Sequence, residues 1–157
     1  MKKLEKIKIK ILKKDLFDKL NIKIEAATSG SAGLDITACI EEPITLKAKQ
    51  QCLIPLGFAM HIKDPNWAAI LIPRSGLGAK KGIVIGNLVG LIDSDYQGEI
   101  SAMLWNRNED GEHIINPGDR IGQMVFVPVS VPDINFVDEF ENETERGSGG
   151  FGSTGTN

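Results

Sequence analysis

Apolar and polar residues alternate along much of this chain with a period of two, not with the 3.6 spacing of a helix face. Residues 6 to 12 set Ile7, Ile9 and Ile11 between lysines, which reads as a strand with one wet face. The lysine row reads as the solvated side of an edge strand, in preference to a membrane or RNA contact. Further short apolar or alternating runs occupy 34–40, 52–62, 67–73, 83–92, 99–106 and 120–127. Turn signals separate them at Gly30-Ser31, Pro43, Asp64-Pro65, Asn108 to Gly111 and Asn116-Pro117-Gly118, spacings typical of an all-β sandwich or barrel. No stretch supports an amphipathic helix longer than two turns, so a doubly wound nucleotide fold is disfavoured. The end of the chain differs in kind. Between Asp133 and Glu145 it carries six acidic residues and no Lys or Arg, and then runs out as RGSGGFGSTGTN. Residues 1–141 are expected to form one β domain and residues 142–157 a mobile arm. The arm is either a solubilising end or, given Arg146 and Phe151 among its glycines, a segment placed to touch something.

A length of 157 residues suits a single domain with a tail, and 41% hydrophobic with 25% charged residues is globular composition. The net charge of −3 argues against a nucleic-acid binder, which needs a surplus of cations to neutralise phosphate. No run approaches the ~18 apolar residues of a membrane span. The opening lysines interrupt every apolar run, so no signal-peptide core is present and a cytoplasmic address is expected. Only two His (His61, His113) and two Cys (Cys39, Cys52) are available, so a metal site or disulfide scaffold built from them is poorly supported. The cysteines read as buried small residues in strands. Carboxylates, arginines and backbone amides are left to carry any chemistry.

Two glycine-rich segments invite nucleotide motifs and fail on context. Gly147 to Gly152 has GxGxxG spacing without a strand-to-helix turn, and Gly76 to Gly82 lacks the residue order of a P-loop. What remains is Pro73-Arg74-Ser75-Gly76, where a guanidinium, a hydroxyl and close-approach backbone can grip phosphate oxygens. Arginines are scarce: Arg74, Arg107, Arg120 and Arg146 against fourteen lysines. Three of the four sit in PRSG, DRIGQ and RGSGG. Converging, they would bind a triphosphate; apart, each reads as a surface ion pair. Gly90 to Glu99 reads as a β-hairpin with Asp93 at the end of its first strand. There Asp93 is either a general base toward water or a turn-stabilising carboxylate, and Tyr96 either packs a sugar ring or fills the core.

Five segments, in order, resemble the five motifs of the trimeric dUTPases. They are Ala32-Gly33-Leu34-Asp35-Ile36-Thr37-Ala38, Pro73-Arg74-Ser75-Gly76-Leu77-Gly78, Gly86-Asn87 through Gly90-Leu91-Ile92-Asp93-Ser94-Asp95-Tyr96-Gln97-Gly98-Glu99, Arg120-Ile121-Gly122-Gln123-Met124, and Arg146 to Gly155. The resemblance spans residues 26 to 155. One small departure is Gly122, where the family more often has Ala; it removes a methyl and leaves the resemblance intact.

The resemblance implies a distorted jelly-roll-like β-barrel, assembled as a homotrimer with shared active sites. It implies hydrolysis of dUTP to dUMP and pyrophosphate, which limits uracil in DNA and supplies dUMP for dTTP synthesis, with Mg2+ carried mainly by the triphosphate. Asp93 would deprotonate the water that attacks the α-phosphorus and bond the sugar 3′-hydroxyl. Tyr96 would stand where a ribose 2′-hydroxyl collides, while Asn87, Leu91 and Ile92 read the uracil edge. Ser75, Gly76 and the amides after Arg74 would hold the β-phosphate, and Gln123 the α-phosphate or the water. Arg74, Arg120 and Arg146 would meet phosphate charge; Phe151 would stack on uracil, with Gly152 among the substrate contacts. Asp35 would reach the metal only through its waters. By the same resemblance the first, second and fourth motifs come from one subunit, the third from a second and the fifth from a third. Two rivals are carried: a dCTP deaminase-like enzyme of the same fold, and a dUTP-sensing interaction module.

Overall fold

The computed structural model describes residues 4, 6–142 and 144–149. Among these lie ten strands and two short helices, in agreement with the all-β expectation. The strands are β1 (Lys8–Ile11), β2 (Leu34–Thr37), β3 (Ile44–Lys47), β4 (Gln51–His61), β5 (Trp67–Pro73), β6 (Ile83–Ile85), β7 (Gly90–Ile92), β8 (Glu99–Asn106), β9 (Glu112–Ile115) and β10 (Arg120–Pro128). The helices are α1 (Lys14–Lys19) and α2 (Ser75–Lys81), neither longer than about two turns. One sheet runs β1-β4-β8-β6, a second β2-β10-β5-β7, and a two-stranded ladder joins β3 to β9. All named pairings are antiparallel.

Strand alternation builds the core. In β8, Ile100, Ala102 and Leu104 are buried, whereas Glu99, Ser101, Met103 and Trp105 lie on the half-open face. Leu56, Phe58 and Met60 of β4 meet Ile36, Leu71, Ile92 and Ile121 in the same cluster, with Phe17 of α1 closing one end. Buried Asn106 is satisfied by donating from Nδ2 to the Leu46 carbonyl at 3.0 Å, which ties β8 to β3. β4 shifts register between Pro55 and Ala59, and Gly57 at that bulge has φ +77°. Any Cβ on Gly57 would collide with Cys39 Sγ, so both the backbone and the contact require glycine.

Several sequence boundaries move. The 34–40 run is a strand only to Thr37, although Ala38, Cys39 and Ile40 stay buried. Cys39 is therefore buried just beyond a strand, where burial pushes its thiol up; Cys52 lies half-buried in β4. The 83–92 run divides into β6 and β7, which belong to different sheets, around a turn that puts Leu88 at φ +65°. β3, β9 and both helices lie outside the runs expected from the sequence. The lysine strand β1 is an edge strand, as expected.

Candidate functional site

Three strands of the second sheet assemble a charged corner. In the ladder, Gln123 of β10 stands opposite Asp35 of β2 on one side and Ile72 of β5 on the other. Arg74 directly follows β5 and precedes α2; Arg120 opens β10. Asp35 Oδ2 accepts a hydrogen bond from Arg120 Nη1 at 2.9 Å, and its Oδ1 lies 3.7 Å from Arg74 Nε. Arg74 Nη1 in turn donates to the Arg120 carbonyl at 3.2 Å. The Asp35 side chain is 16% exposed and that of Arg120 56%, so the carboxylate sits behind the guanidiniums and presents them outward. Ser75 and Gly76, in the first turn of α2, are exposed, with amides that have no intrahelical acceptor. A Cβ on Gly76 would meet nothing within 4 Å, so the chain itself does not require glycine there.

Close approach governs Gly122 instead. A Cβ there would stand 2.9 Å from Ile36 Cδ1 and 3.0 Å from the Ile72 carbonyl oxygen. In this chain Ile36 occupies the space that a methyl at position 122 would take.

The segment after β7 forms a second group. It is not a hairpin, because β7 pairs with β5 while β8 pairs with β4 and β6. The link instead crosses between sheets. The Tyr96 amide donates to the Asp93 carbonyl at 3.3 Å, and the Lys63 amide fastens the Ser94 carbonyl at 2.9 Å. The Tyr96 ring folds back so that its hydroxyl donates to the Glu99 carbonyl at 3.2 Å, a position open only because Gly98 has no Cβ to strike that hydroxyl. Tyr96 is 46% exposed and is not a core residue. It shares the wall of a cavity of about 350 Å3 with Asn87, Leu91, Ile92 and Asp93. Sequence reasoning gave no role to Glu99, which lines the same cavity and has a buried Oε1 without a hydrogen-bond partner.

Within one chain the arginines fall into separate groups. Arg74 and Arg120 meet through Asp35, whereas exposed Arg146 donates from Nε to the Gly149 carbonyl at 2.9 Å. Arg107 donates to the Gly78 carbonyl at 3.2 Å and pins α2. The charged corner borders its own groove, shared by Asp35, Thr37, Gly118 and Arg120, separate from the cavity beneath Tyr96. Phe151 and Gly152 lie outside the described residues. Among the described residues no cluster of three or more His, Cys, Asp or Glu could hold a metal ion, and no helix is long and apolar enough to cross a membrane.

The class these features define is an all-β protein with a paired-arginine corner, of a kind that suits an anion, and an Asp-Tyr loop over a small cavity. Comparison with known proteins narrows the class. A family model described as dUTPase matches residues 21–155. The deoxyuridine 5′-triphosphate nucleotidohydrolase of Paraburkholderia xenovorans is 53% identical over 150 residues, covering 96% of this chain and 98% of that protein. The enzyme of the same description from Gamma-proteobacterium EBAC31A08 is 61% identical over 130 residues, covering 83% and 92%. Among solved structures, the dUTPase of Staphylococcus bacteriophage 80alpha with dUpNHpp has a TM-score of 0.80 at 27% identity and covers 96% of this chain and 99% of its own. A phage phi11 dUTPase described as coordinating a structural Mg(II) ion shares the fold, with a TM-score of 0.74 at 23% identity. The chain belongs to the dUTPase family.

Proposed function

We propose that this chain hydrolyses dUTP to dUMP and pyrophosphate by attack of water on the α-phosphorus. The observation that carries the reading is the division of labour within one chain: a corner suited to a polyanion and a cavity suited to a nucleoside, bordering separate grooves. Such half-sites become whole if copies of the chain bring one corner to another's cavity, and we read the assembly as a homotrimer with shared sites. Residues 1–141 form its β domain and residues 142–157 its closing arm, in a cytoplasmic enzyme of nucleotide metabolism.

In the assembled site Asp93 takes the proton of the attacking water, and Tyr96 packs the deoxyribose against a 2′-hydroxyl. Asn87 and the backbone at Leu91 and Ile92 read the uracil edge. Arg74 and Arg120 face the phosphate oxygens, Ser75 and Gly76 donate to the β-phosphate, and Gln123 donates beside Asp35 to the α-phosphate or holds the water. Arg146 and Phe151 of the arm close over the γ-phosphate and the base, with Gly152 allowing close approach. Asp35 already answers two guanidiniums, which fits a carboxylate that touches Mg2+ through water rather than by direct ligation. Bound with the triphosphate, that ion supplies charge neutralisation at the phosphate oxygens.

Pyrophosphate release from dUTP, dTTP, dCTP and UTP, measured side by side, tests the reading; turnover confined to dUTP is expected. Ammonia from dCTP would replace it with the deaminase reading, and tight dUpNHpp binding without any turnover with the sensing reading. Asp93→Asn should keep dUpNHpp binding and lower turnover by about 10^2 to 10^4, the usual worth of a general base.

A further inference from the structure

Of the four arginines, Arg107 alone enters no part of the proposed site. It directly follows β8 and binds α2 from Gly78 onward. The helix needs such support. Its sequence, SGLGAKK, is seven residues long, holds two glycines and has no side-chain cap at its start. A helix shorter than about 12 residues is marginal in water, and glycine is a poor helix residue. Packing forces neither glycine: a Cβ on Gly76 would meet nothing within 4 Å, and one on Gly78 would touch Val84 Cγ1 at an ordinary 3.5 Å. The order of α2 therefore comes from outside it.

The residues after β8 supply that order. Arg107 Nη2 donates to the Gly78 carbonyl at 3.2 Å, the Arg107 amide to the Gly82 carbonyl at 3.0 Å, and Asn108 Nδ2 to the Lys81 carbonyl at 2.8 Å. The carbonyls at a helix C-terminus lack intrahelical donors, and a guanidinium suits its negative end. Gly82 has φ +69°, and a Cβ on it would strike Asn108 Oδ1, so glycine at this position makes room for the clamp. The clamp is itself braced. The Asn108 amide donates to Oδ1 of buried Asn106 at 3.2 Å, while Lys49 Nζ donates to the Arg107 carbonyl at 3.4 Å and pairs with Glu109.

Gly78 passes this constraint to the charged corner. Its carbonyl is held by Arg107, and its amide donates to the Arg74 carbonyl at 2.9 Å. Between those two bonds lie Ser75, Gly76 and Leu77. We infer that Arg107, with Asn108 beside it, is a positioning residue for the reaction: it fixes the turn that aims the Ser75 and Gly76 amides at the β-phosphate, and it does so without touching substrate. The inference rests on the phosphate role proposed above for that turn.

Arg107→Met keeps an unbranched stem and removes the guanidinium; Asn108→Ala removes the other side-chain bond. Calorimetric titration with dUMP, and with dUpNHpp and magnesium, separates positioning from general damage, because dUMP has no β-phosphate. Both variants should bind dUpNHpp more weakly, Arg107→Met by about tenfold, and hold dUMP within about twofold of the unaltered protein. Arg107→Lys, which returns one donor toward the Gly78 carbonyl, should recover part of the loss. Amide exchange gives a readout that needs no ligand. The Gly78 and Gly82 amides should exchange about tenfold faster in both variants while those of β8 keep their protection. An unchanged ratio of the two affinities, equal losses for both ligands, or unchanged exchange at Gly78 would overturn the inference. An unaltered protein that binds dUpNHpp no more tightly than dUMP would overturn the phosphate reading instead, and exchange at Gly78 would still report whether Arg107 holds the turn.

Discussion

Replacing Gly122 by alanine adds one methyl where two strands and a core side chain already touch. The new Cβ would lie 2.9 Å from Ile36 Cδ1, 3.1 Å from Ile36 Cγ1 and 3.0 Å from the Ile72 carbonyl oxygen. Ile36 is buried at 1% exposure, so its side chain has little room to turn away. The carbonyl cannot recede without disturbing the ladder in which Gln123 faces Ile72. Overpacking of this kind costs about 1–3 kcal/mol. Loss of glycine's freedom in the unfolded chain returns about 0.4–1 kcal/mol. The central balance is a destabilisation of about 1.3 kcal/mol, equivalent to about 4 °C in the melting temperature of a chain this size. Denaturant titration of the single variants and of Gly122→Ala with Ile36→Val closes a double-mutant cycle. Valine lacks Cδ1, so the pair should be more stable than the single costs predict, by about 1 kcal/mol. A Gly122→Ala protein as stable as the original, with no coupling to residue 36, would refute the packing argument.

Gly98→Ala should push the Tyr96 hydroxyl off the Glu99 carbonyl and shrink the preference for dUTP over UTP about tenfold; an unchanged kcat/KM ratio would detach Tyr96 from sugar discrimination. His113 of β9 offers a pH test. Burial holds its imidazole below the ordinary value of 6.5, helped by Lys81 and opposed by Asp119. The unfolded chain therefore takes up the proton first, so this contribution is intact above the unfolded value and stability declines as pH falls below about 6.5. Thermal melts at pH 7.5 and 5.5 should converge in His113→Gln, and equal pH dependence in both proteins would exclude His113 as the cause.

Alternation exposed most strands in the sequence because one face of each is buried and the other wet, as at Glu99–Asn106. It could not show which strands pair. The 83–92 run reads as one apolar segment since nothing in its side chains marks the turn near Leu88 where the chain leaves one sheet for the other. The false hairpin at Gly90 to Glu99 has the same origin: a turn signal between two strands does not say that they share a ladder. The charged corner was legible only as three separate residue types. That Asp35 would hold both Arg74 and Arg120 depends on a register set by long-range pairing of β2, β10 and β5. Gly122 and Gly98 were visible as glycines, but the atoms that exclude a side chain from them come from distant segments or a folded-back ring.

The stretch from Asp93 to Gly98 is suspended between the two main sheets, fixed at one end to β7 and at the other to β8. Asp93 and Tyr96 are held together locally, by the bond from the Tyr96 amide to the Asp93 carbonyl, but the loop that carries them starts on one sheet and ends on the other. Ile92, the last residue of β7, and Ile100, the second of β8, are both buried in the core cluster. On the proposed role of Tyr96, the loop that carries it inherits its placement from two core residues, so the hydrophobic interior bears on the site as well as the residues at its mouth.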